Sequence, residues 1–386
     1  MPVWSPADAR RKYNLALTPA ERARAEANMA PLARDKDGLY DADAVFEGGG
    51  ILGTAFLGAA RVASEIGFRW HGLAGTSAGA ITATLLAADL NIDQIEQILG
   101  QLDPTYFLSK KASRLTLSGD PGRDLDNPVL LLANLALGGE LGQYSSDPVK
   151  DWLDEILKWA GKPTFGDLWD RSRSAPDRQL KVVVSDLTRG EMKVLPDDLE
   201  PARNSPGAAR SYRPMLSPRQ RSFSAADAVR LSMSIPFFFV PGTLDHPTEG
   251  RSTIVDGGIL SNFPLWIFDE ETPGKPPAWP TFGFRLVDKV TERPAAIDGV
   301  TDLLAAMFRT MTLAPDRRHL SPRHQGRAVD IDLNGLGISA TQFNASNDQK
   351  DLLYARGYAA AKEFFVNRWN WSKHLELRGF GRAAAK

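Results

Sequence analysis

The sequence contains no cysteine. That excludes disulfide staples, a thiol nucleophile and zinc sites built on thiolates. It does not fix a compartment, because many secreted proteins also lack disulfides. Net charge is nearly absent too, with 46 Lys and Arg against 47 Asp and Glu. A balance of −1 gives no electrostatic case for nucleic acid as the main ligand. Long hydrophobic runs are missing: none approaches the roughly 18 residues of a membrane span. The opening stretch, MPVWSPADARRKYNLALTPAERARAE, is polar and lacks the apolar segment of a signal peptide. The expectation is a cytoplasmic chain, at most peripheral on a membrane, although export without an N-terminal signal would leave the same sequence.

What is present is ordinary globular composition, 43% hydrophobic and 24% charged over 386 residues. That length can bury a large core, as one enlarged α/β domain or as two or three smaller ones. Residues 1–42 read as a leader with one amphipathic helix near Pro19 to Ala33. DAVFEGGG reads as a strand ending at Phe46 and breaking into three glycines. Helical spacing follows over Gly53 to Ile66, then a strand, a second turn, and a buried helix from Ala78 to Leu90. This alternation predicts an α/β fold with parallel strands. Residues 101–170 look like a mostly helical insertion that includes NPVLLLANLALGG. Leu180 to Ser185 form a near-continuous apolar run, typical of a strand buried on both faces. A Pro-, Ser- and Arg-rich excursion occupies residues 200–222. Further elements are a helix opened by Ser224, strands in STIVDGG, TFGFRLV and AVDIDLNG, a helix over Asp302 to Met311, and a closing helix from Asn347 to Asn367.

Two turns carry candidate chemistry. In GLAGTSAGA, Ser77 lies between Gly75 and Gly79. A strand-to-helix elbow of this kind presents a nucleophilic Oγ, and the helix that follows favours developing negative charge. The same pattern also suits a helix-capping serine with small neighbours. In EGGGILG, Gly48, Gly49 and Gly50 expose successive amides at a strand end, as an oxyanion hole or an anion nest does. A nucleotide fingerprint is the competing interpretation. The spacing GGGxxG, without a Walker lysine or a clearly placed acidic ribose partner, fits it poorly.

A base is harder to find. His71, His246, His319, His324 and His374 are the five histidines. None occupies a convincing loop after a late strand, and each is compatible with a surface or packing role. Asp256, in IVDGG, ends an apolar strand beside Gly257 and Gly258. A partly buried carboxylate there could act as general base on Ser77, or could simply cap the next turn.

These blocks together resemble the patatin-like phospholipase family over about residues 43–366, leaving residues 367–386 as a tail. The resemblance implies a three-layer α/β/α fold with a mostly parallel central sheet and a helical insertion. It implies a Ser77–Asp256 dyad with no catalytic histidine, and an oxyanion hole from Gly48, Gly49, Gly50 and Ala78, supported by Gly53, Gly75, Gly79, Gly257 and Gly258. SDLTRGE, RLSMSIPFFFVP and DGGILSNFP, with Asn262 and Pro264, extend the likeness. One departure is Leu52, which stands where the family commonly has a basic residue. The implied activity is hydrolysis of phospholipid or lysophospholipid acyl esters through an acyl-enzyme, without metal or cofactor. Phe237, Phe238 and Phe239 are candidates to line the acyl site, with ordinary core as the alternative. The same dyad would serve a carboxylesterase or thioesterase acting on soluble acyl groups, and a catalytically silent lipid-binding module would keep the fold.

Overall fold

The apolar runs become strands, and the stretches with helical spacing pack over them. The computed structural model describes residues 3–109, 141–169, 179–200, 216–248, 250–269, 275–287 and 326–380. Its main sheet has eight strands. The parallel part runs β10 (Ala328–Asp332), β9 (Thr281–Val287), β1 (Tyr40–Phe46), β2 (Phe68–Thr76), β4 (Gln179–Asp186). Antiparallel strands β5 (Glu191–Leu195), β7 (Gly242–His246) and β8 (Gly250–Asp256) extend it on the β4 side. A small parallel pair, β3 (Gly142–Tyr144) with β6 (Phe237–Phe239), stands apart. The result is a three-layer α/β arrangement with a largely parallel central sheet.

Successive strand residues feed two different apolar layers. Ala44, Phe46, Leu73, Val182 and Val184 join the larger core, whereas Val45, Ala74 and Val183 join a second cluster with Phe263, Leu265, Ile267 and Phe268. Period-two alternation with both faces covered explains why these strands read as continuous apolar runs. Two helices cross very closely on the larger layer, Thr54–Ile66 and Asn347–Glu363. A Cβ at Gly58 would stand 2.0 Å from the Tyr354 carbonyl oxygen, and one at Gly357 would stand 1.7 Å from that of Ala55. Only glycine permits this approach.

The N-terminal residues fold back on the main body. The helix expected near Pro19 to Ala33 spans Pro19–Met29, and a further short helix, Pro6–Lys12, precedes it. Seven residues are too few to show a periodic signal, and what starts this helix is the Ser5 cap on the Asp8 amide followed by Pro6. The Trp4 indole donates to Asp351 at 2.9 Å, and Asn28 Nδ2 donates to the carbonyls of Phe365 and Val366. The closing helix also ends earlier than expected, at Glu363, passing through a π turn to a last helix, Trp371–Leu377. The apolar stretch NPVLLLANLALGG, most of the 200–222 excursion, the Asp302 to Met311 helix, His319 and His324 lie outside the described residues. Among the described residues no helix is long and apolar enough to cross a membrane.

Candidate functional site

Strand pairing along β4 creates the site. Its edge opposite β5 is shared end to end by two strands: β2 pairs with it as far as Thr76 opposite Val183, and β8 begins the next register with Asp256 opposite Val184. Because β8 runs antiparallel, its last residue meets the end of β2. The residue leaving β2 is Ser77, which brings its side chain beside the Asp256 carboxyl group. The glycines make the junction fit. A Cβ on Gly257 would lie 2.2 Å from the Val183 carbonyl oxygen, and one on Gly75 would lie 2.4 Å from the backbone of Gly79. A Cβ on Gly79 would strike the Phe46 carbonyl oxygen at 2.4 Å.

Ser77 occupies φ 52° and ψ −125°, a region that side chains rarely adopt, with strain of order 1–3 kcal/mol. It precedes the helix Ala78–Ala87 but makes no side-chain cap bond, so capping does not explain the serine. Its amide donates instead to Ser232 Oγ at 2.8 Å, and that hydroxyl donates to the Val183 carbonyl at 2.6 Å. Asp256 does cap the next turn, accepting the Gly258 amide at 2.7 Å. Burial pushes its carboxyl group up to about 6, against the opposing pull of the Gly258 amide and the neighbouring Ser77 hydroxyl.

The glycine loop is clamped by Asn262. The Gly48 amide donates to the Asn262 carbonyl at 3.1 Å, and Asn262 Nδ2 donates to the Gly48 carbonyl at 3.2 Å and to Glu47 Oε1 at 3.3 Å. Glu47 also takes the Leu286 amide at 2.6 Å. The Gly48 amide is therefore engaged in holding the loop. Among the described residues, the amides of Gly49, Gly50 and Ala78 donate to no protein oxygen. Gly50 has φ +54°, and the Ala340 carbonyl oxygen lies 2.0 Å from where its Cβ would be. Gly53 is needed for the tight approach of Ala78, whose Cβ would stand 3.0 Å from a Cβ there.

A cavity of about 80 Å³ opens beside this loop, lined by Gly50, Gly53 and Ala78 at one part and by Phe107, Phe343 and Lys350 at others. Phe238 and Phe239 are fully buried and do not line it. They pack on Phe343, with ring centroids 5.6 and 6.3 Å away, so they form the layer behind the wall. Phe237 is half-buried with φ +69°. Sequence reasoning missed Phe343 and Lys350, which lie 87 and 94 residues beyond Asp256 in a segment with no motif.

The described histidines sit elsewhere. His246 pairs with Gly250, at the end of β8 opposite Asp256. His71 stacks on Trp279, and its Nε2 lies 2.8 Å from Asp41. His374 is buried against Trp371, and desolvation holds its imidazole well below the usual range. Among the described residues, no group of three or more His, Asp or Glu side chains converges as a metal site would.

The chain has relatives of similar length. The chain is 34% identical over 330 residues to the uncharacterized protein YqhO of Bacillus subtilis (strain 168), covering 85% of this chain and 99% of that one. It is 22% identical over 335 residues to the uncharacterized protein R571 of Acanthamoeba polyphaga mimivirus, covering 84% and 93%. Among solved structures, VipD from Legionella pneumophila aligns with a TM-score of 0.49 at 18% identity, over 87% of this chain and 70% of that one. The type III effector protein ExoU aligns with a TM-score of 0.41 at 18% identity, and the chain spans 56% of its length. Residues 44–269, which hold the glycine loop, the serine elbow and the aspartate turn, match the patatin-like phospholipase family, and the chain belongs to that family.

Proposed function

We propose that the chain is a serine acyl hydrolase that cleaves phospholipid or lysophospholipid esters with Ser77 as nucleophile and Asp256 as general base. The observation that carries this is the meeting of the ends of β2 and β8 on one edge of β4, which sets the Ser77 side chain beside a buried Asp256 carboxyl. Asp256 takes the Ser77 proton as Oγ attacks the ester carbonyl carbon. The oxyanion accepts from the unpartnered amides of Gly49, Gly50 and Ala78, aided by the dipole of the helix Ala78–Ala87. Asp256 then returns the proton to the leaving alkoxide, and the alcohol or lysolipid departs. Water attacks the acyl-enzyme while giving a proton to Asp256, and the carboxylic acid leaves as Ser77 regains its hydrogen. The largely apolar cavity beside Gly50 and Ala78 suits an acyl ester with a fatty chain.

The test pairs a fluorophosphonate probe with a lipid panel and product identification. Wild-type protein should be labelled at Ser77 and should release fatty acid, and Ser77→Ala should do neither. Folded wild-type protein that resists the probe would leave a lipid-binding module. Cleavage of short soluble esters or thioesters, but not of vesicle lipids, would move the assignment to a general esterase or thioesterase.

A further inference from the structure

Five basic side chains are buried among the described residues: Arg61, Lys181, Lys193, Arg327 and Lys350. Four of them are matched by carboxylates. Arg61 pairs with Glu96 at 2.6 Å, Lys181 with Asp197 at 2.7 Å, Lys193 with Glu191 at 2.6 Å, and Arg327 with Asp269 at 2.6 Å. Lys350 differs. It is 8% exposed, yet no carboxylate among the described residues lies within ion-pair distance of its ammonium group. Among the described residues it is the one charged side chain lining the cavity that begins at Gly50, Gly53 and Ala78, and its other neighbours there include Trp4, Leu102 and Phe107.

An unpaired cation among apolar groups costs free energy that a methionine of similar length would not. Burial accordingly holds the Lys350 amine below the usual lysine range, and Asp103 offsets this only in part. Asp103 itself is occupied by the amide and hydroxyl of Thr105. A lysine so placed has a use if an anion arrives with the ligand, since a desolvated ammonium binds phosphate oxygens strongly as a point charge.

We infer that Lys350 binds the phosphate group of the substrate lipid, in the cavity next to the glycine loop and the serine elbow. The assignment rests on the acyl-hydrolase reading of that site and names within it the residue that selects esters carrying a phosphate over neutral ones. The apolar walls hold the hydrocarbon part while Lys350 selects for the charge.

Monododecyl phosphate, kept below its critical micelle concentration, is titrated calorimetrically into wild type, Lys350→Met and Lys350→Arg. A neutral dodecyl glycerol ether and inorganic phosphate serve as the other two probes. The Met variant should bind monododecyl phosphate about ten- to a hundredfold more weakly, as expected for losing a charged hydrogen bond. Arg should retain most of the affinity, and the neutral ether should not distinguish the three proteins. Lys350→Gln replaces Met if that variant fails to fold. No binding of monododecyl phosphate to wild type, an unchanged Kd in the neutral variant, or an equal loss for the ether overturns the inference. Inorganic phosphate binding as tightly as monododecyl phosphate would make this a free-anion site and overturn the lipid assignment. In turnover, the KM ratio of lysophosphatidic acid to the matching monoacylglycerol should rise by a similar factor in the Met variant. The calorimetry needs no catalysis, so a fully active Ser77→Ala protein would defeat the hydrolase reading separately from the Lys350 result.

Discussion

At Asp256 a buried carboxyl group keeps its proton to about pH 6, against an ordinary 3.8. The folded protein thus binds that proton more tightly than the unfolded chain. The stability this contributes is complete below the unfolded value and is lost as pH rises through about 6. Above that, holding Asp256 ionised costs on the order of 3 kcal/mol. Asp256→Asn removes both the base and this cost. At pH 8 it should lose acyl hydrolysis by about 10³-fold or more, yet unfold in urea with a stability raised by about 2–3 kcal/mol. Wild-type kcat/KM should fall below an inflection near pH 6, where the base becomes protonated. A destabilised Asn variant, or activity flat from pH 5 to 8, would contradict the assignment.

Among the elements, the glycine loop separates two kinds of glycine. Gly50 cannot take a side chain without collision, because its φ is positive and the Ala340 backbone occupies the space. Its substitution would report on folding. A Cβ on Gly49 would clash with Leu286 Cδ1 at 2.3 Å, the movable end of a side chain, while Leu52 Cβ stands at an ordinary 3.7 Å. Gly49→Ala should therefore fold, particularly with Leu286→Ala to make room, while displacing an amide from the oxyanion position. We expect kcat to drop by about 10²-fold with KM little changed, the usual scale for one lost donor. Wild-type turnover by the folded Gly49→Ala, Leu286→Ala protein would remove the loop from the mechanism. The elbow depends on a neighbouring element too. Ser232, at the end of the Ala225–Ser232 helix, supplies the acceptor for the strained Ser77 amide.

On the scale of the whole molecule, the N-terminal residues belong to the fold that houses the site. Trp4 is 5% exposed, stands edge-on to Tyr354, anchors on Asp351 and lines the cavity. Trp4→Ala should lower unfolding stability by about 3–5 kcal/mol, as large aromatic truncations in a core do. Urea melts showing less than about 1 kcal/mol would mean that this segment is only loosely attached.

Ser77, Asp256 and the glycines were legible in the sequence because each depends on local chemistry. A strand that ends in a turn needs glycine where backbone approaches backbone, and a Cβ on Gly75, Gly79 or Gly257 would stand under 2.5 Å from another backbone atom. The strands were legible because burial on both faces forces continuous apolar runs, as in Leu180 to Ser185. Which of two roles a residue plays was not local. Ser77 and Asp256 each allowed a cap beside a reactive group. The register of β2 and β8 on one edge of β4 brings their ends together, and a strand's edge partners leave no mark on its own composition. The same holds for Gly48, whose amide is taken by Asn262, for the phenylalanines that back the cavity wall, and for Lys350. A lysine in a helix reads as solvated surface until the helices of the fold close around it, and only the tertiary structure decides that this one is buried with no carboxylate of the described residues at ion-pair distance.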